Sequence, residues 1–266
     1  ANAPWTKRYG HTSVVHDGKI WILAGSDEAG NELNDVWCSR NGVDWHRVLD
    51  EAPWPERLYH TCVSFDNRVW LIGGYDRSSN LNDVWSSTDG VHWTQVSPAA
   101  PWSRRQLHSS VVYDDKLWVS GGYDGGSKRD VWSSADGANW TEVTESANWH
   151  SRWSHGYVVC EEKMVVLGGF YYGGTRDQMD VWSSTNGANW TRVTCAAAWN
   201  ERRETAPVTY NGKLWVIGGS REETGNKNDI WNSNNGGYWQ QVQSNASWQA
   251  RTSHRTAVHR GAIWVL

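Results

Sequence analysis

A Trp recurs at Trp5, Trp54, Trp102, Trp149, Trp199 and Trp248, 47 to 50 residues apart, and the first five open the same succession of residues, which the sixth begins. An Arg stands three places on and usually a His six places on, followed by Gly-Gly, Asp-Val-Trp and Asn/Asp-Gly-x-x-Trp. A period near fifty is the size of one supersecondary unit that cannot bury its own apolar face, so neighbouring units must stack into a shared core. The repeats run 5–53, 54–101, 102–148, 149–198 and 199–247, with 248–266 as the first part of a sixth, and 1–266 is expected to be one domain.

Within a unit, runs rich in Val, Ile and Trp alternate with turn dipeptides, as in Thr12–Val15, Asp17-Gly18, Ile20–Leu23, Asp35–Trp37 and Asn41-Gly42. Four short antiparallel strands per unit follow. Asp17-Gly18, Asp66-Asn67, Asp114-Asp115 and Asn211-Gly212 occupy the first turn, where only Glu161-Glu162 and Arg260-Gly261 stray. Asp89-Gly90, Asp136-Gly137, Asn186-Gly187 and Asn235-Gly236 occupy the third, and all of these pairs suit type I′ hairpins, which need positive φ at both central residues.

Arg-x-x-His, a Gly-Gly after the second strand and a Trp in the fourth resemble the kelch repeat over essentially the whole chain. Ser87–Trp93 and Ser134–Trp140 also look like a shortened Asp-box hairpin of sialidase-type propellers. The resemblance implies an all-β fold, a β-propeller of four-stranded antiparallel blades. Five full repeats plus half a sixth suggest a six-bladed plan whose last blade is cut short. Five blades with a redundant pair of strands is the alternative.

Composition agrees. Hydrophobic residues make up only 38% of the 266, yet 22 are Trp, 21 of them at repeat positions. Wide aromatic plates between thin blades exclude water well, so these Trp read as core. The net charge is −4 without a Lys/Arg-rich run, which argues against nucleic-acid and anionic-membrane partners. No apolar stretch approaches the ~20 residues that span a bilayer, and the opening Ala-Asn-Ala-Pro does not read as a signal peptide.

Cys38, Cys62, Cys160 and Cys195 fall at four different places in the repeat, so a disulfide framework is not expected. Sequons at Asn139, Asn189 and Asn245 would permit glycosylation, although two arise from the repeat itself. The compartment is left open between the two.

Strand alternation puts the repeat Arg and His on the face that also carries the loops between second and third strands, whose lengths and chemistry vary. Arg8, Arg57, Arg105, Arg152, Arg202 and Arg251 are either a ring that grips an acidic ligand or structural groups bonding loop carbonyls and stacking on Trp. In kelch substrate adaptors the matching positions of some blades contact acidic peptides. Five histidines spread one per unit, with Thr205 in the remaining place, do not make a metal site. Trp153 is the one Trp outside the periodic set; with Arg152 and the Phe170-Tyr171-Tyr172 loop it marks a candidate patch.

The expected ligand-binding residues are therefore Arg57, Arg105, Arg152, Trp153, Phe170, Tyr171 and Tyr172, with no catalytic residue, metal or cofactor. The copper set of galactose-oxidase-like members, the iron motif of nitrile-specifier-like members and the catalytic set of sialidases are not recognisable. The leading expectation is a non-enzymatic binding or scaffold module for a protein or peptide. A carbohydrate-binding propeller, a sugar enzyme of epimerase or oxidase type, and a duplicated or designed repeat without a ligand are the alternatives. Self-association through the incomplete sixth blade is a further option.

Overall fold

The computed structural model describes residues 3–171 and 176–266, among which there is no helix. The first blade consists of Thr12–His16, Lys19–Asp27, Glu32–Ser39 and His46–Leu49, with the short strand Arg8–Tyr9 added beside Lys19–Asp27. Thr61–Phe65, Arg68–Tyr75, Asn80–Ser87 and Thr94–Ser97 form the second, and Ser109–Tyr113, Lys116–Ser120, Val131–Ser134 and Thr141–Thr144 the third. The fourth holds Gly156–Cys160, Lys163–Leu167, Val181–Ser184 and Thr191–Thr194, and the fifth Val208–Tyr210, Lys213–Arg221, Gly225–Ser233 and Gln240–Gln243. In each, sequential strands pair antiparallel. The sixth unit contributes one pair, Thr256–His259 with Ala262–Val265, so the expected six-bladed plan is seen as five four-stranded blades and a two-stranded remainder.

The chain divides into two compact units. One comprises Ala1–Leu107, Ser134–Trp140 and Arg255–Leu266; the other comprises His108–Ser133 and Thr141–His254. The core of the first unit gathers Trp21, Leu23, Val36, Trp54, Val69 and Leu71. That of the second gathers Trp118, Val131, Trp149 and Val166 in one cluster and Leu167, Val181, Trp199 and Leu214 in another.

Burial falls off along each blade. Ile20–Ala24 are all buried, because a second strand has partners on both edges and on both faces, whereas Gln240–Gln243, a fourth strand, is exposed throughout. This is why second strands are continuous apolar runs while fourth strands are polar. The lead Trp of units two to five is fully buried and meets the fourth-strand Trp edge-on, as in Trp54–Trp93 at 5.8 Å and 87° and Trp199–Trp239 at 5.8 Å and 89°. Such contacts add to the area term a directional preference that fixes the stacking.

The two kinds of turn part company. Every first turn has positive φ at both central residues, including Glu161-Glu162 at 47° and 55°, so the type I′ geometry holds even where the dipeptide does not favour it. The third turn does not have it: Gly90 is at 74°, but Asp89 is not in the left-handed region. Ser87 Oγ accepts from Gly90 N at 2.8 Å, and Asp89 Oδ1 accepts from Val91 N and His92 N, both at 2.8 Å. Side chains thus replace the hairpin's own ladder, giving a longer Asx-type loop. Its glycine serves packing: a Cβ at Gly90 would fall 2.2 Å from Trp21, at Gly137 2.1 Å from Trp70 and at Gly187 2.2 Å from Trp118.

The four cysteines are free thiols, with Cys195 exposed and Cys160 buried, and burial pushes the Cys62 thiol up to about 12.

Candidate functional site

The repeat arginine can be followed from sequence to task. In the second unit, Arg152 donates from Nη1 and Nη2 to the two carboxylate oxygens of Asp180 at 2.7 and 3.0 Å, from Nη1 to Gly168 O at 2.8 Å, and from Nε to His150 O at 3.0 Å. Its guanidinium lies 5.6 Å from the Trp149 ring, and Trp182 Nε1 donates to Asp180 Oδ2 at 2.7 Å. In the first unit Arg57 repeats this with Asp83, Gly73 O and Pro55 O. Arg8–Asp35 and Arg202–Asp229 repeat the bidentate pair and the Nη1 bond to the corner carbonyl, of Ala24 at 3.0 Å and of Gly218 at 3.1 Å, but the Nε of each is buried without a hydrogen-bond partner. A lone guanidinium costs several kcal/mol to bury, and only a bidentate carboxylate with satisfied remaining donors offsets that. Burial alone would raise the carboxyls of Asp180 and Asp229, but the hydrogen bonds and charge of Arg152 and Arg202 leave both below the ordinary carboxylate value.

Arg57, Arg105 and Arg152 are accordingly 0%, 1% and 0% exposed. Their position fits the structural alternative: the strut ties the Gly-Gly corner to the third strand and so fixes where each two-to-three loop begins. A ligand at Arg57 or Arg152 would have to displace an aspartate.

Beyond the arginine the backbone turns into the left-handed region at Tyr59, Leu107, Ser154, Glu204 and Ser253. In the second unit this presents Trp153 to Phe170. Their backbones pair in both directions at 3.1 and 2.9 Å, and their rings lie 5.0 Å apart. Tyr123 approaches Trp153 at 6.4 Å, and the Arg203 guanidinium sits 4.8 Å from Phe170 and 6.0 Å from Trp153. The expected patch therefore divides. Tyr171 turns away from this cluster and stacks on exposed His150 at 5.3 Å and 22°, while Tyr172 lies outside the described residues.

Tyr171 and His150 line a cavity of about 470 Å³ in the second unit, with Lys128 and Arg129 from the loop of the third blade, Glu142 from its fourth strand and Glu145 just beyond that strand. Lys128 also pairs with Asp124 at 2.8 Å. Two cations, a half-exposed aromatic stack and two carboxylates can hold a polar chain by hydrogen bonds and charge.

A family model described as the KLHDC2/KLHL20/DRC7 Kelch-repeats domain matches residues 2–169. The chain belongs to this family. It is a kelch-repeat β-propeller, and kelch domains are generally non-enzymatic modules of protein–protein interaction. No curated protein matches the chain.

In kelch terms the histidines serve the blades. His60 Nε2 lies 2.9 Å from Thr12 Oγ1 in the first unit, and His155 Nε2 lies 3.1 Å from Ser120 Oγ in the second, where burial and the charge of Arg152 hold the His155 pKa well below normal. Among the described residues no three His, Cys, Asp or Glu side chains are placed to hold a metal. Sequence reasoning overlooked His150, Lys128 and Arg129. The available signal for His150 was position: the residue after the lead Trp is Thr6, Pro55, Ser103, His150, Asn200 and Gln249, one of two variable places between the recurring Trp and the recurring Arg.

Proposed function

We propose that this kelch domain is a non-enzymatic binding module whose partner is a protein or peptide, docking on the loop face of its second unit. The carrying observation is the 470 Å³ cavity lined by His150 stacked on Tyr171 and by Lys128 and Arg129, with the loop of Tyr171 starting where buried Arg152 ties Gly168 to Asp180. Lys128 and Arg129 suit acidic groups of the partner, while Glu142 and Glu145 accept its donors. Trp153 and Phe170, covered by Arg203, supply an apolar anchor, and Arg152 acts from within. The same reading takes Thr256–His259 and Ala262–Val265 as the inner half of a sixth blade. The test is affinity capture with the native chain and with a folded His150→Ala, Tyr171→Ala, Arg129→Ala variant, read by mass spectrometry. A partner lost only from the variant supports the proposal. Equal capture by both, or turnover of a substrate that depends on these residues, sinks it.

A further inference from the structure

A Trp stands third in every second strand but that of the fourth blade. Trp21, Trp70, Trp118, Trp215 and Trp264 each donate from Nε1 to the carbonyl five residues earlier, at 2.8 to 3.1 Å. Four of these rings, those of Trp21, Trp70, Trp118 and Trp264, are capped by a third-turn glycine, where a Cβ would fall 2.1 to 2.3 Å from the indole. In the fourth blade Val165 holds the place, pairing with Val158 as Trp118 pairs with Val111. The residue whose carbonyl takes the indole N–H is elsewhere His16, Phe65, Tyr113, Tyr210 and His259, and here it is Cys160. An indole and a second ring are thus replaced by an isopropyl group and a thiol, both at the contact of the fourth and fifth blades inside the second unit.

The rest of the arrangement is kept. Gly236 stands in the third turn of the fifth blade, buried and with φ of 80°, like the glycines that cap a ring. It rests on aliphatic tips instead: a Cβ there would meet Val181 at 3.0 Å, Leu214 at 3.5 Å and Val193 at 3.8 Å. Cys160 Sγ comes only within 3.9 Å of Asn234 O in the same turn, where His16 Nε2 and His259 Nε2 meet Thr88 O and Arg40 O at 3.3 and 2.7 Å. Leu167, Val181, Trp199 and Trp239 complete apolar surroundings, and burial and the charge of Glu161 push the Cys160 thiol up, so it stays neutral. The covering turn is held more loosely than its counterparts. Asn235 Oδ1 accepts from Gly237 N alone, at 3.0 Å, whereas the corresponding oxygens of Asn41, Asp89, Asp136 and Asn186 each accept from two amides. Asn234, Asn235, Gly237 and Tyr238 are all exposed.

We propose that the contact of Val165 and Cys160 with Gly236 is a binding site for a small free aromatic molecule of the indole class, a flat bicyclic ring carrying one N–H. The ring slides beneath Gly236, and its N–H donates to Cys160 O as Trp118 Nε1 donates to Tyr113 O. Burial of the ring among aliphatic side chains supplies the affinity, and the carbonyl fixes its orientation. The indoles that the other blades carry at this place define the shape and the polarity of the occupant.

The probe is indole, titrated into the full chain by calorimetry and followed by hydrogen exchange with mass spectrometry. Saturable one-to-one binding should protect the amides of residues 234–239 and leave the third turns of the other blades unchanged. 1-Methylindole, which removes the donor and sets a methyl group against Cys160 O, should bind about tenfold more weakly or worse. Val165→Trp supplies the ring from within, so that chain should melt higher than the native one and no longer bind indole. Cys160→Phe, a smaller filling, should also block binding and serves where the Trp variant does not fold. No saturable binding, protection at another place, undiminished binding by either folded variant, or equal binding of 1-methylindole overturns the proposal. So does a folded Val165→Trp chain that melts lower, because Val181, Val193 and Leu214 would then have taken up the room.

Discussion

At the scale of the residue, the arginine strut couples stability to acidity. Arg152 is engaged by both Asp180 oxygens and by two carbonyls, an arrangement that needs a planar fork and that an ammonium cannot reproduce. Arg152→Ala leaves Asp180 buried without its counter-charge and is expected to cost about 3–5 kcal/mol in urea denaturation, with Arg152→Lys costing most of that. The pH dependence has a definite sign. The folded Asp180 and Asp229 carboxyls titrate below the unfolded value of about 3.9, so their contribution is complete above it and is lost as pH falls through the folded values. The melting temperature should therefore hold from neutrality to about pH 5 and fall steeply below about pH 4. An Asp180→Asn variant should start lower and lose less on acidification; an identical acid decline in both would remove Asp180 from the account. The presence of an Arg in every unit was readable in the sequence. Its partner was not, because Asp83 and Asp180 lie 26 and 28 residues downstream and nothing local pairs them.

At the scale of the element, turns show which part of a repeat is local. The first turn is set by a two-residue hairpin, so dipeptide preference read it correctly, and ladder pairing then imposes the same form on Glu161-Glu162. The third turn carried the same Asn/Asp-Gly signal but obeys a different cause, side-chain acceptors and the face of a Trp from another repeat. Two glycines separate backbone strain from packing. Gly212 and Gly187 have φ of 67° and 71°, but a Cβ at Gly212 meets nothing within 4 Å whereas at Gly187 it falls 2.2 Å from Trp118. Gly212→Ala should cost about 1–2 kcal/mol, the left-handed penalty alone. Gly187→Ala should cost a further ~1–3 kcal/mol from overpacking. Calorimetry that finds the two equal would show that Trp118 moves aside freely. The candidate site was legible in the same uneven way. Trp153 stood out because it broke the period, whereas the separation of Tyr171 from Phe170 depends on which way alternate residues of one short strand point.

At the scale of the whole molecule, each repeat grades from a buried second strand to a wet fourth strand, and that gradient governs where the chain opens. Second strands such as Lys116–Ser120 and Lys163–Leu167 are buried along nearly their whole length, while Thr141–Thr144, Thr191–Thr194 and Gln240–Gln243 leave at least two residues each to solvent. Local opening draws on segments with few buried apolar contacts. Native-state hydrogen exchange should thus show the same order in all five blades, with second strands slowest and fourth strands fastest, and Gln240–Gln243 fastest of these. An alternative in which one unit exchanges wholesale before the other would instead give two classes divided along the chain, with no gradient inside a blade. The distinction bears on function. If the gradient holds, the loop holding Tyr171 is anchored at its start by Arg152 and the slow strand Lys163–Leu167, and binding a partner should slow exchange at that loop and at Lys128–Arg129 while leaving the second strands unchanged. Protection spreading into Lys163–Leu167 would mean that the partner acts on the scaffold itself.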